Sequence, residues 1–308
     1  MDEVIQPATD GRPGDADRAV RGAVRMMGHP HHRLKRGAVW LFALCLWTSL
    51  TLLPACSNTP AEPEVWVAFG DSLTSEYPYP DMTEPLAGTW PELVDQALPD
   101  VQIFNKGTGG ATTQRGLQNL QADVISKKPR LVFILFGAND QAIMNGRQPG
   151  DHRVSPKQFW INLRRMVRTI HNAGANVVLM TIRPIIQGPG APEHNYYLDR
   201  NGDGGVLYTN KDKVHGTVRQ YNNIIRAVAN REGTFLIDIW QAMVTKAGGS
   251  DSDEAILKLG FERLPPDTDG IHLGPDGYRF IADQVLAALP AIRKHMAQPP
   301  RAVAGTVP

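Results

Sequence analysis

Cysteine is nearly absent from these 308 residues, with Cys45 and Cys56 as the only two. So few thiols build neither a disulfide framework nor a metal cluster, and the fold must rest on its apolar core. A charge bias is missing as well. The 32 Lys and Arg against 31 Asp and Glu leave a formal net charge of +1. That gives no field for nucleic acid, and no basic stripe interleaved with aromatics makes up for it. The apolar run Ala38–Leu53 is sixteen residues long, short of the ~20 that span a bilayer. No repeat or low-complexity tract interrupts the body of the chain.

What is present begins with a leader. Residues 1–36 are polar, rich in Gly, Pro, Arg and Asp, and read as disordered or as a misassigned start, with Met26 and Met27 as later ones. Arg33, Lys35 and Arg36 then lead into the apolar run, and 37–55 read as a signal peptide. It ends in Leu53-Pro54-Ala55-Cys56, which resembles a bacterial lipobox apart from Pro54. The resemblance implies an exported lipoprotein anchored in a membrane through lipid on Cys56, of the outer-membrane sorting class by Ser57. An uncleaved anchor or soluble secretion is the alternative. Cys45 would leave with the signal. Residues 56–63, with Pro60 and Pro63, read as a tether, and 294–308 as a disordered tail.

Between these ends the chain alternates strand and helix. Apolar runs of strand length occur at Val65–Phe69, Val101–Asn105, Leu131–Phe136, Val177–Ile182 and Phe235–Ile239. The clearest helix spans Ser155–Ala173, where Phe159, Leu163, Met166, Val167 and Ile170 share one face, Ser155 caps and Gly174 follows. Others are expected over about Lys213–Glu232 and Asp276–Leu289. Continuous apolar strands separated by helices predict an α/β fold, a five-stranded parallel sheet covered on both faces.

In such a sheet the working loops lie at the carboxyl ends of the strands. Gly70-Asp71-Ser72-Leu73 follows the first run, Gly107-Thr108-Gly109-Gly110 the second, Gly137-Ala138-Asn139-Asp140 the third, and Asp269-Gly270-Ile271-His272 comes after the fifth. A serine, a carboxylate and an imidazole are the parts of a nucleophilic ester-cleaving triad. By chance Gly-Asp-Ser-Leu should arise in roughly one chain of this length per hundred, whereas Asp-x-x-His arises in about one in three. A second Asp-x-x-His, Asp212-Lys213-Val214-His215, shows how cheap the latter is. Chain order and loop position favour Asp269 and His272 over it.

Together the four blocks resemble the SGNH, or GDSL, hydrolases from about Glu64 to Arg293, and 64–293 is taken as the hydrolase domain. The named residues match as Ser72, Gly110, Asn139 and His272. Asn105-Lys106-Gly107-Thr108-Gly109-Gly110-Ala111-Thr112-Thr113 resembles the second block, with Gly109 and Ala111 as departures. The resemblance implies a flavodoxin-like three-layer α/β/α sandwich with strand order 2-1-3-4-5. It also implies Ser72 as nucleophile, His272 as base, Asp269 as its orienting partner, and an oxyanion hole of the Ser72 and Gly110 amides and the Asn139 side chain. No cofactor or catalytic metal is expected.

The expected reaction is hydrolysis of short, acetyl-like esters through an acyl-enzyme, with a small molecule or a glycan as the ester substrate. A lysophospholipase or thioesterase shares the first step and is the alternative. A non-catalytic surface-binding lipoprotein is the alternative outside enzymes. Specificity is expected in the loops Thr74–Gly88 and Arg183–Asp212, which hold Tyr77, Tyr79, Tyr196, Tyr197 and Tyr208. These tyrosines could stack on sugar rings or simply pack on the body. Asp199, Asn201 and Asp203 match the first half of a calcium loop, but position twelve is Asn210 instead of a bidentate Glu. An Asx-rich turn is the simpler reading there.

Overall fold

The five expected runs line up side by side as β1 (Glu64–Gly70), β2 (Val101–Gly107), β3 (Leu131–Leu135), β4 (Asn176–Met180) and β5 (Phe235–Ile237). All neighbours are parallel, in the order β2-β1-β3-β4-β5. The computed structural model describes residues 62–77, 83–86, 88–144, 152–186, 206–207, 211–263 and 269–298. Outside them lie the expected signal peptide, Cys56, Tyr79, Tyr196, Tyr197, Tyr208 and the Asp199, Asn201 and Asp203 cluster. No helix among the described residues is long and apolar enough to cross a membrane.

β3 and β4 are buried along their whole length because helices cover both faces, and all their side chains but that of Asn176 are apolar. Side chains alternate between those faces. Trp66 and Phe133 pack with Trp90 on one side, at ring separations of 5.9 and 5.6 Å. Phe69 and Phe136 meet edge-on at 5.1 Å on the other. Helix α1 (Trp90–Ala97) packs beside α7 (Pro275–Met296), while α2 (Thr113–Asp123), α3 (Pro156–Asn172) and α4 (Lys211–Glu232) form a second row. The short helices α5 (Ile239–Lys246) and α6 (Asp253–Leu257) follow β5.

Helix α3 forms as its sequence dictates. Ser155 Oγ accepts from the Gln158 amide at 3.3 Å, and Pro156 occupies the first turn. Its five apolar residues are all buried, each stabilising by roughly 1.5–3 kcal/mol before entropic costs. Glu232 at the end of α4 then ties the two helices, taking Arg164 Nε at 2.5 Å and Arg168 Nε at 2.9 Å. Burial pushes the Glu232 carboxyl up, but the two guanidinium groups outweigh it and hold it below the ordinary value.

Helix α7 runs on to Met296 instead of ending at Leu289, and so enters the stretch expected to be a disordered tail. Pro290 lies inside it without stopping it. The physical reason is that the apolar face continues past the proline: Ile292 and Met296 are buried on the body, which offsets the hydrogen bond that Pro290 cannot donate.

The strand order creates the site. From β1 the chain crosses to β2 on one side, then returns to β3 on the other, so the loops leaving β1 and β3 diverge and open a crevice at the carboxyl edge. Ser72 leaves from the first of these strands and Asn139 from the second.

Candidate active site

The turn after β1 is locked by its own aspartate. Asp71 Oδ1 accepts from the Leu73 amide at 3.0 Å, and the Asp71 carbonyl accepts from Thr74 and Ser75, each at 3.1 Å. The Asp71 amide donates to the Leu135 carbonyl of β3 at 3.2 Å. Ser72 is thereby fixed at the strand end, 5% exposed.

His272 Nε2 lies 2.9 Å from Ser72 Oγ, and its Nδ1 lies 2.5 Å from Asp269 Oδ2. Three residues of separation suffice because the chain turns sharply. Asp269 Oδ1 accepts from the amides of Ile271 and His272, both at 2.8 Å, so the carboxylate folds its own loop around itself. Burial pushes the Asp269 carboxyl up, but the His272 ring and these amides hold it below the usual carboxylate value. It is therefore ionised at neutral pH. The rival Asp212 and His215 fall in the first turns of α4, as their sequence position suggests. His272 is the histidine at Ser72.

The loop after β2 returns across the β1 turn. Asn105 Nδ2 donates to the Thr74 carbonyl at 2.8 Å, and the Thr108 amide to the Gly70 carbonyl at 3.0 Å. Gly110 sits at φ +67°, a left-handed conformation that glycine adopts freely. The loop after β3 carries Asn139, buried at 4% exposure. Its Oδ1 accepts from Arg153 Nη1 at 3.2 Å, so the NH2 end of the amide is the one turned to donate.

Asp140 binds the first turn of α2. Its carboxylate accepts from the Thr113 amide at 3.0 and 3.1 Å and from the Thr113 hydroxyl, which in turn accepts from Asn162 Nδ2 at 3.0 Å. Burial pushes Asp140 up to about 6, against these hydrogen bonds. Burial also pushes Asp71 up to about 7, aided by the nearby Asp140 charge. Two carboxyl groups thus lie buried under the Ser72 turn and the Asn139 loop.

All five residues singled out from the sequence for chemistry, Ser72, Gly110, Asn139, Asp269 and His272, lie in the loops at one edge of the sheet. Arg153, Arg183 and Glu262 escaped that reading. They stand in no recognisable motif, and only long-range geometry shows what they hold. Among the described residues no cluster of His, Cys, Asp and Glu is placed to bind a metal ion.

Residues 68–280 match the family model of the GDSL-like lipase/acylhydrolase family. The chain belongs to that family. It is a carboxylic ester hydrolase. The GDSL-like chain is 34% identical over 222 residues to the uncharacterized lipoprotein YqeF of Bacillus subtilis, covering 71% of this chain and 86% of that one. It is 27% identical over 223 residues to the isoamyl acetate-hydrolyzing esterase 1 homolog of Mus musculus, covering 69% and 76%. The crystal structure of the acetyl xylan esterase AlAXEase superposes with a TM-score of 0.51 at 21% identity, over 73% of this chain and 99% of that one. This last likeness concerns the fold.

Proposed function

We propose that this GDSL-like hydrolase cleaves short acyl esters through an acyl-enzyme on Ser72. The observation that carries the reading is the unbroken relay from Ser72 Oγ through the His272 ring to Asp269, at 2.9 and 2.5 Å. His272 Nε2 takes the hydroxyl proton as Ser72 Oγ bonds to the ester carbonyl carbon. Asp269 holds the ring with Nδ1 protonated and stabilises the imidazolium. The carbonyl oxygen gathers the negative charge between the Ser72 and Gly110 amides and the Asn139 NH2 group. Collapse expels the alcohol, which leaves with the proton from His272. Water, deprotonated by the same ring, then releases the acid and restores Ser72.

A short acyl group is favoured by the recessed nucleophile, 5% exposed between Asn139 at 4% and His272 at 7%. The mouse relative's name, which specifies an acetate ester, points the same way. A carbohydrate ester is the natural acetyl-bearing polymer to test. The name of the lipoprotein YqeF supports the lipobox at Cys56, and with it export and a membrane anchor ahead of a hydrolase domain over 64–293.

The test is a series of p-nitrophenyl esters from acetate to palmitate with wild type and Ser72→Ala. Turnover should peak at the shortest chains, and Ser72→Ala should lose both turnover and fluorophosphonate labelling. Peak turnover on long chains makes the enzyme a lipid acylhydrolase. Labelling that survives Ser72→Ala places the nucleophile elsewhere.

A further inference from the structure

Of the three donors assigned to the oxyanion hole, two sit on adjustable units. Gly110 is exposed at a positive φ with open space where a Cβ would lie, in a short turn closed by the Ala111 amide on the Thr108 carbonyl at 3.1 Å. Asn139 offers its NH2 only in one of two amide orientations. The Ser72 amide differs, being carried by a turn already hydrogen-bonded to β3.

One guanidinium touches both adjustable units. Arg153 Nη1 donates to Asn139 Oδ1 at 3.2 Å, and Nη2 donates to the Gly110 carbonyl at 3.0 Å. A reversed Asn139 amide would set its NH2 against the Arg153 N–H groups, donor against donor, so the arginine selects the orientation that presents NH2 to the crevice. The Gly110 carbonyl shares its peptide unit with the Ala111 amide, which donates to the Thr108 carbonyl, so Arg153 adds a second tie to the unit that follows the donor amide.

Arg153 is itself seated. Its amide donates to the Ala142 carbonyl at 2.7 Å, and the Val154 amide to the Asp140 carbonyl at 3.1 Å. His152 Nδ1 lies 2.7 Å from the Gln141 carbonyl, and the Tyr221 hydroxyl donates to the Val154 carbonyl at 2.5 Å. The segment before α3 is thus stitched to the loop after β3. The Arg153 charge also works against the burial that raises the Asp71 and Asp140 carboxyls.

We propose that Arg153 is a positioning residue that fixes two donors of the oxyanion hole, Asn139 and Gly110, with one side chain. The inference rests on the oxyanion reading above. A planar fork suits this task because its two terminal nitrogens are rigidly spaced and reach two acceptors together, which a lysine ammonium does not reproduce.

The test compares Arg153→Met, Arg153→Lys, Asn139→Ala and the double variant Arg153→Met/Asn139→Ala on p-nitrophenyl acetate. Arg153→Met should lower kcat about tenfold to a hundredfold with little change in KM. Arg153→Lys should recover only part. In the Asn139→Ala background the Arg153→Met loss should shrink, because one of the two held donors is already gone. Complete end-point labelling of Ser72 by a fluorophosphonate, at a slower rate, shows that the variants fold. Wild-type kcat in Arg153→Met, a loss confined to KM, or an equal loss in the Asn139→Ala background overturns the proposal. If Asn139→Ala alone turns over like wild type, the oxyanion reading itself falls.

Discussion

Arg183 Nη1 donates to the main-chain oxygen of Ile271 at 2.9 Å, joining the end of β4 to the loop that carries Asp269 and His272. The same guanidinium forks onto Glu262, with Nη1 on Oε2 at 3.1 Å and Nη2 on Oε1. Glu262 bridges Leu273, the residue after the histidine, and the Ile186 amide donates to the Gly270 carbonyl at 3.0 Å. The His272 loop, which carries the proposed base, is therefore held from the sheet by an ion pair whose partners are 1% and 4% exposed.

Removing one partner of so buried a pair leaves an uncompensated charge. Arg183→Met should cost about 3–5 kcal/mol in urea denaturation. Arg183→Met/Glu262→Leu should cost less than Arg183→Met, since both charges go together. If the double variant is the weaker protein, the cost comes from lost packing and not from the stranded Glu262 carboxylate.

Asn139→Ala removes one of the three donors proposed for the charge that develops on the ester oxygen. The expected loss is on the order of a hundredfold in kcat, with KM nearly unchanged because the ground-state carbonyl needs that donor less. Steady-state kinetics on p-nitrophenyl acetate decide it. A loss carried by KM would make Asn139 a substrate-binding group and not a transition-state one.

The parts of this architecture that sequence made legible are those with local causes. The Ser155 cap and the apolar face of α3 depend on neighbours within a few residues, and continuous apolar runs betray strands buried on both faces. Ser72 was readable because its block stands at the end of the first strand, and His272 because its block follows the fifth strand in the chain order of the motif. Strand order came only through resemblance, since no local property says which strands touch. Arg153 and Arg183 were illegible for a related reason. Each is an ordinary arginine in sequence, and its role exists only through acceptors distant along the chain. α7 outruns its expected end at about Leu289 because the burial of Ile292 and Met296, which outweighs Pro290, is tertiary.

Gly107 is required by crowding. A Cβ there would come within 2.2 Å of the Ser75 amide nitrogen and 2.6 Å of the Thr74 carbonyl carbon, both main-chain atoms of the segment following Ser72. Gly107→Ala should therefore cost at least about 1–3 kcal/mol in thermal or urea unfolding. It should also lower kcat by displacing Ser72 relative to His272. A variant with wild-type stability and turnover would mean that the turn yields more easily than its hydrogen bonds to β3 imply.

The buried carboxyl groups of Asp71 and Asp140 give stability a pH dependence of a definite sign. Burial raises Asp71 from 3.8 to about 7 and Asp140 to about 6, so the folded state binds protons that the unfolded chain has already released. Their contribution is fully present below about pH 4 and is lost as pH rises through 6 and 7. Asp269 is shifted the other way, so its contribution is lost only at pH values below this window. From pH 5 up to its folded-state value, about 6 for Asp140 and about 7 for Asp71, each group lowers unfolding free energy by up to about 1.4 kcal/mol per pH unit. The Asp140 charge adds to the burial that raises Asp71, and Asp71→Asn removes the more strongly raised of the two groups. Its absolute stability can fall, because a buried amide must find a new acceptor, so the slope is the quantity to read. The difference in unfolding free energy, Asp71→Asn minus wild type, should become more favourable from pH 5 to pH 8 and level off above it. A difference that stays flat across that range would mean that Asp71 is ionised throughout, held so by the Leu73 amide and the Arg153 charge against its burial.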